Sequence, residues 1–105
     1  MSLGKHYKEK FRIWCSATDT YFDQSWLLSG QRIYEWTDVF TRGMKFPESE
    51  LARLSSILDG TFVKSSVGTF QIEVVAAAIL DTGESLRDFY LIPIEDGFGE
   101  VERLL

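Results

Sequence analysis

His6 is the sole histidine of this 105-residue chain and Cys15 its sole cysteine. Nucleophilic catalysis through a Ser/His/Asp or Cys/His system needs a base held against the nucleophile and oriented by a third group. His6 stands between Lys5 and Tyr7 in an amino terminus expected to fray, so no such system assembles. Cys15 falls on the inward side of an alternating segment, which predicts a small buried hydrophobe, not an activated thiolate. One imidazole and one thiol leave a transition-metal site short of ligands, and no metal is expected. Glu95-Asp96-Gly97-Phe98-Gly99-Glu100-Val101-Glu102 lacks the spacing of a calcium loop. Gly97-Phe98-Gly99 lacks the third glycine, the helix and the downstream acid of a dinucleotide fingerprint, and there is no Gly-Lys-Ser/Thr. The sequence therefore assigns no catalytic residue, no cofactor and no metal ligand.

Ala78-Ile79-Leu80-Asp81-Thr82-Gly83 resembles the apolar-apolar-Asp-Thr-Gly signature of retroviral-type aspartic proteases, homodimers in which each subunit gives one Asp to a shared-proton dyad. The resemblance covers six residues and would make Asp81 the catalytic acid/base, with Thr82 and Gly83 as its supporting loop. Glu84 stands where that family has a small residue, and the motif falls at residue 81 of 105, short of room for the flap and second half of that fold. Asp and Gly also supply the backbone conformations of an ordinary reverse turn, and a turn at Asp81-Thr82-Gly83-Glu84 is the expectation.

Aromatic side chains carry the remaining signal. Ten of the fifteen lie in residues 1–46, including Trp14, Trp26 and Trp36. Such residues dominate both cores and interface hot spots, because they bury large areas at small rotamer cost. Alternation from Lys10 to Ser16 puts Phe11, Ile13 and Cys15 on one face and Arg12 and Trp14 on the other, the period of a half-buried strand. Trp14 then points outward, toward either a second layer of the same chain or another molecule. Tyr21, Phe22, Trp26, Tyr34 and Trp36 are expected in the core, with a ligand pocket as the alternative. Trp14, Trp26, Tyr34 and Trp36 are the interaction candidates.

The elements that must hold these residues follow from period and punctuation. Residues 26–42 fit two readings equally: a helix through Ile33, Trp36, Val39 and Phe40, or a hairpin turning at Ser29-Gly30. Pro47-Glu48-Ser49-Glu50 followed by Leu51, Leu54, Ile57 and Leu58 predicts an amphipathic helix from Pro47 to Asp59, stopped by Gly60. Phe70, Ile72 and Val74 alternate with Gln71 and Glu73 and run into the apolar Val75 to Leu80, which predicts a strand covered on both faces toward its end, by this chain or by a partner. Phe89 to Ile94 is expected back as its antiparallel neighbour, at an edge or ending at Pro93. Glu100 to Leu105 is a helical turn or a frayed tail. The expected fold is one α+β domain over residues 1–105, an antiparallel sheet of three to five strands with one or two packed helices, residues 1–8 and 98–105 fraying.

Composition bounds the function. A chain of this length buries enough surface for one core without disulfide or metal staples. The longest apolar run has seven residues, against about 20 for a membrane helix. A single cysteine and no apolar leader favour the cytoplasm. Residues 1–46 hold seven Lys/Arg against five Asp/Glu, and residues 47–105 hold four against eleven, so net charges of +2 and -7 sum to -5. Lys5, Lys8, Lys10 and Arg12 form a basic cluster, but the pI of about 4.8 is far from the value above ~9 typical of nucleic-acid modules. The leading expectation is a small non-enzymatic protein-interaction module: a homodimer, an adaptor, or an inhibitor or immunity-type partner. It rests on the two-faced apolar run, the outward Trp14 and a free sheet edge near Pro93. The alternative is a small-molecule-binding or enzymatic domain with an aromatic-lined pocket and Asp19, Asp23, Asp38 or Asp81 as its acid.

Overall fold

A computed structural model describes residues 10–59, 70–94 and 102–103. The first strand, β1 (Lys10–Cys15), forms where the alternation places it, with Phe11, Ile13 and Cys15 fully buried. β2 (Thr20–Leu28) and β3 (Gln31–Thr37) follow as a long hairpin, then β4 (Phe46–Pro47), α1 (Leu51–Leu58), α2 (Phe70–Asp81), β5 (Phe89–Pro93) and β6 (Glu102–Arg103). All pairings are antiparallel, in the order β3-β2-β1-β5-β6, with β4 also bonded to β1. The two helices pack with the inward sheet residues into one core, so the class is α+β.

Residues 26–42 resolve as the hairpin plus a short 3-10 turn at Phe40–Arg42. Ser29 and Gly30 both adopt positive φ, +51° and +81°, the geometry a two-residue turn needs to match strand twist. With no Asn in the chain, Ser takes the first left-handed position.

Four expected elements are corrected. Residues 70–81 are a helix, not a strand. Ile72, Val75, Ala76 and Ile79 are buried at i, i+3, i+4 and i+7, a helical stripe, while Leu80 is 46% exposed. The apparent alternation at Phe70 to Val74 was too short to separate the two periods, and α2 is apolar on more than one side, which blurs its own. Ala76, Ala77 and Ala78 favour the helix by propensity. The Asp81-Thr82-Gly83 turn is the end of this helix. Thr82 Oγ1 donates to the Ile79 carbonyl at 2.8 Å and accepts from Glu84 N at 3.1 Å, and Gly83 (φ +78°) takes the left-handed stop.

The amphipathic helix begins at Leu51, not Pro47. Pro47 is extended in β4 opposite Lys10, and Glu48–Glu50 form a 3-10 turn. The leucine stripe itself holds: Leu51, Leu54, Ile57 and Leu58 are buried, and α1 lies on α2. Finally, β5 returns beside β1, not beside residues 70–80, with Phe89↔Cys15 through Pro93↔Phe11 in register. Its other edge is met by β6 at Tyr90 and Leu91, so the free edge expected near Pro93 is taken there, and Glu102–Arg103 form a short strand where a helical turn or a frayed tail was expected. Residues 1–8, with the fraying expected of them, lie outside the described residues, as do 98–101, 104 and 105.

The helical stripe makes a discriminating prediction. In urea denaturation Ile79→Ala costs about 2–5 kcal/mol as a buried truncation, while Leu80→Ala stays within about 0.5 kcal/mol as a surface change. Equal costs contradict the helical placement.

Candidate functional site at the β3 edge

The hairpin register decides which groups are available. Leu28↔Gln31, Trp26↔Ile33 and Gln24↔Glu35 are pairs across β2 and β3, with an irregularity between Phe22 and Gln24. In a two-residue hairpin the pair flanking the turn exchanges both backbone bonds, and every second pair repeats this. Gln31, Ile33 and Glu35 therefore bond to β2. Arg32, Tyr34 and Trp36 aim their N–H and C=O groups the other way, and among the described residues β3 pairs with no second strand.

The side chains of Arg32, Tyr34 and Trp36 share the inward face. Trp36 anchors it, with its ring 5.4 Å from Phe22, edge-on, and 5.7 Å from Phe89. α2 runs alongside and leaves a groove with two hollows. One, about 170 Å³, is lined by Phe22, Gln24, Ser25, Arg32, Met44, Gln71 and Val74. The other, about 350 Å³, has Tyr34, Trp36, Ala78, Asp81 and Thr82 in its wall together with Gln31, Arg32 and Ile33. Four consecutive strand residues, of both facing directions, wall the larger hollow, so it abuts the strand's edge and not only one of its faces. Arg32 lines both hollows and donates from Nη1 to Ser25 Oγ at 3.3 Å.

Around this edge lie most of the exposed large apolar side chains of the described residues: Trp26 at 39%, Leu27 at 62% and Leu28 at 60% toward the turn, and Val39 beyond the other end of β3. Exposed apolar groups gathered in one place mark interaction surfaces more than scattered ones do.

On the opposite face of the sheet, the part around β1 is covered by its own chain. Trp14 is half-buried, 5.5 Å from the Tyr90 ring, and donates Nε1–H to Asp19 Oδ1 at 3.0 Å, so it does not stand free as an outward anchor. Arg12 is only 3% exposed. Its Nε donates to the Gly43 carbonyl at 3.0 Å and its guanidinium lies 4.2 Å from the Phe40 ring centre, while Nη1 is buried without a hydrogen-bond partner. Burial pulls the Arg12 pKa down, opposed by Tyr21. The basic cluster thereby loses a member, since a buried Arg12 offers nothing to a phosphate, and Lys5 and Lys8 lie outside the described residues. A Cβ on Gly43 would stand 2.8 Å from Arg12 Cδ, so glycine is required for this approach.

Of the four interaction candidates, Tyr34 and Trp36 meet in the groove, Trp26 stands at the hairpin, and Trp14 belongs to the other face. Asp81 joins the groove from the helix end. Asp19 is taken up by Trp14, and Asp23 by Arg42 at 3.1 Å. Arg32 was missed. Its signal was the alternation Arg32, Tyr34, Trp36, visible once the hairpin is chosen over the helix.

Beside the irregularity in β2, Asp23 has its carboxyl pKa raised, chiefly by burial. Arg42 opposes the rise, and hydrogen bonding and repulsion from Glu35 add to it. A folded carboxyl that holds its proton more tightly than the unfolded one favours the fold at low pH, and this contribution is lost as pH rises through the folded pKa. In a carboxyl NMR titration Asp23 is expected to titrate above an exposed Asp, with Glu35→Gln lowering it and Arg42→Ala raising it. An Asp23 midpoint insensitive to both changes contradicts this local geometry. Comparison of the chain with protein-family models, with curated proteins and with solved structures finds no match.

Proposed function

We propose that this protein is a non-enzymatic interaction module that engages a protein partner by strand addition along the edge of β3 that no second strand pairs among the described residues. The observation that supports this most is that Tyr34 and Trp36 aim their backbone N–H and C=O groups away from β2, at an edge with no second strand among the described residues, set over a groove and flanked by Trp26, Leu27, Leu28 and Val39. An open strand edge is a template for another chain, with backbone bonds giving affinity and neighbouring hollows giving specificity. Two of the features behind the original expectation, the two-faced strand and the outward Trp14, no longer support it, and the edge near Pro93 is met by β6. The β3 edge takes their place.

A second reading has one observation in its favour. The larger hollow brings Tyr34, Trp36 and Asp81 together, as a small-molecule site with aromatic walls and one acid requires. The hollow opens along a strand edge, and this shape suits an extended segment better than a compact ligand.

Tyr34→Pro removes one outward N–H while leaving the bonds of Ile33 and Glu35 to β2, and Tyr34→Ala removes the side chain alone. In affinity capture from a native lysate, the proline variant is expected to lose proteins that wild type and the alanine variant retain. Identical retention by all three variants contradicts strand addition.

A further inference from the structure

Resting on the reading of β3 as a strand-addition edge, we infer that the larger hollow beside it is a cation pocket, which takes a lysine side chain of the added segment against Tyr34, Trp36 and the carboxylate of Asp81. The anion stands where the chain itself makes no use of it. Asp81 is the last residue of α2 and is exposed, and among the described residues no ion pair engages it. The carboxyl end of a helix carries partial negative charge on carbonyls that lack partners within the helix, so an acid there is unfavourable and a cation favourable. No basic residue stands in the last turn of α2 to supply one. A cation entering the hollow meets that carboxylate, the helix end and two aromatic side chains together. Ring faces attract an ammonium group through their quadrupole, and Trp does so most strongly.

Arg32 does not fill this role. Its guanidinium is engaged within the chain, donating to Ser25 Oγ at 3.3 Å, and Ser25 walls the smaller hollow and not the larger. Of the two charged residues that line the larger hollow, Arg32 is thus committed elsewhere and Asp81 is not. A lysine carried on an extended segment fits the shape. The hollow abuts β3 with Tyr34 in its wall, and a residue paired directly opposite Tyr34 shares its face of the sheet, over the hollow, while the neighbours of that residue point to the other face. The four-carbon stem of lysine lies along apolar surface and carries its ammonium group to a polar end. An acidic side chain at that position would meet Asp81 and the helix end with like charge, and an apolar one would leave both without a partner. The net charge of the chain, -5, draws a basic partner in the same sense.

The test uses the full chain, labelled for amide NMR and titrated with the end-capped peptide Thr-Val-Lys-Val-Thr, whose only charge is its lysine. Shifts are expected at the Trp36 indole N–H and at Thr82, which line the hollow, and not at Trp14 on the other face. Norleucine in place of the lysine is expected to weaken binding about three- to tenfold. Asp81→Asn is expected to cost the lysine peptide about threefold and the norleucine peptide nothing. Asp59→Asn removes the same charge at the end of α1 and is expected to leave both peptides unaffected. Binding of the lysine peptide that ignores Asp81→Asn, equal affinity for the two peptides, or no shift with either overturns the cation pocket. Peptides N-methylated along the backbone cannot donate to β3, and they separate the pocket from strand addition. Lysine-dependent binding that is lost on methylation supports both. Lysine dependence that survives methylation supports the pocket and contradicts strand addition. Norleucine bound as tightly as lysine, with both lost on methylation, overturns the pocket and leaves strand addition with an apolar occupant.

Discussion

The structure turns on competition for one edge of β1. β5 runs along one side of β1 from Phe11 to Cys15. The other side must serve two strands: β4 takes Lys10 and Phe11, and β2 takes Trp14 and Cys15. β2 has nine residues but only Thr20 and Tyr21 in register with β1, so most of its length pairs with β3 alone. The hairpin therefore leaves the body of the sheet, with the irregularity at Phe22 to Gln24 where it departs, as bulges bend a strand away from its neighbours. Its outer strand is carried out over α2, and the groove is the space between them.

The core that supports this arrangement is stocked from both halves of the chain. Phe11, Phe22, Phe46 and Phe89 are fully buried, and Phe11 and Phe22 both pack on Phe46, at ring distances of 5.7 Å and 6.4 Å. Trp36 joins them through Phe22 and Phe89, tying β3, the strand that walls the groove, to the same cluster. The edge is thus held on a rigid base while its tip, at Leu27 and Leu28, projects into solvent. On the far face the segment after β3 folds back, and Phe40 covers Tyr21, at a ring distance of 5.3 Å, and the Arg12 guanidinium. Around β1 that face is thus covered by its own chain, while on the groove side β3 pairs with no second strand among the described residues.

Much of this was legible in the residues. The strict alternation of Phe11, Ile13 and Cys15 identified β1, and the Leu51, Leu54, Ile57, Leu58 spacing identified α1 apart from its first turn. The reading failed at α2, where Phe70, Ile72 and Val74 happen to alternate and the apolar run that follows has no polar face to reveal its period. A helix wedged between a second helix, the sheet and the hairpin has little polar surface to show, and a buried strand looks the same. The site suffered from that one error. With residues 70–81 read as a strand, Asp81 became a hairpin turn, and nothing placed it beside Tyr34 and Trp36. Trp14 was misjudged for a different reason: alternation gives the direction of a side chain but not what covers it, here Tyr90 from a strand more than 70 residues away.

The central claim is that the outward amides of Tyr34 and Trp36 on β3 are bonded to a partner protein when one is engaged. Amide hydrogen exchange at Tyr34 and Trp36, measured in the purified protein and again with the proteins it captures from a native lysate, tests it most directly. Protection of these two is expected to rise with the captured proteins bound, while Ile33 and Glu35, bonded to β2, are protected in both states. Exchange at Tyr34 and Trp36 that is equally fast with and without the captured proteins contradicts strand addition along β3.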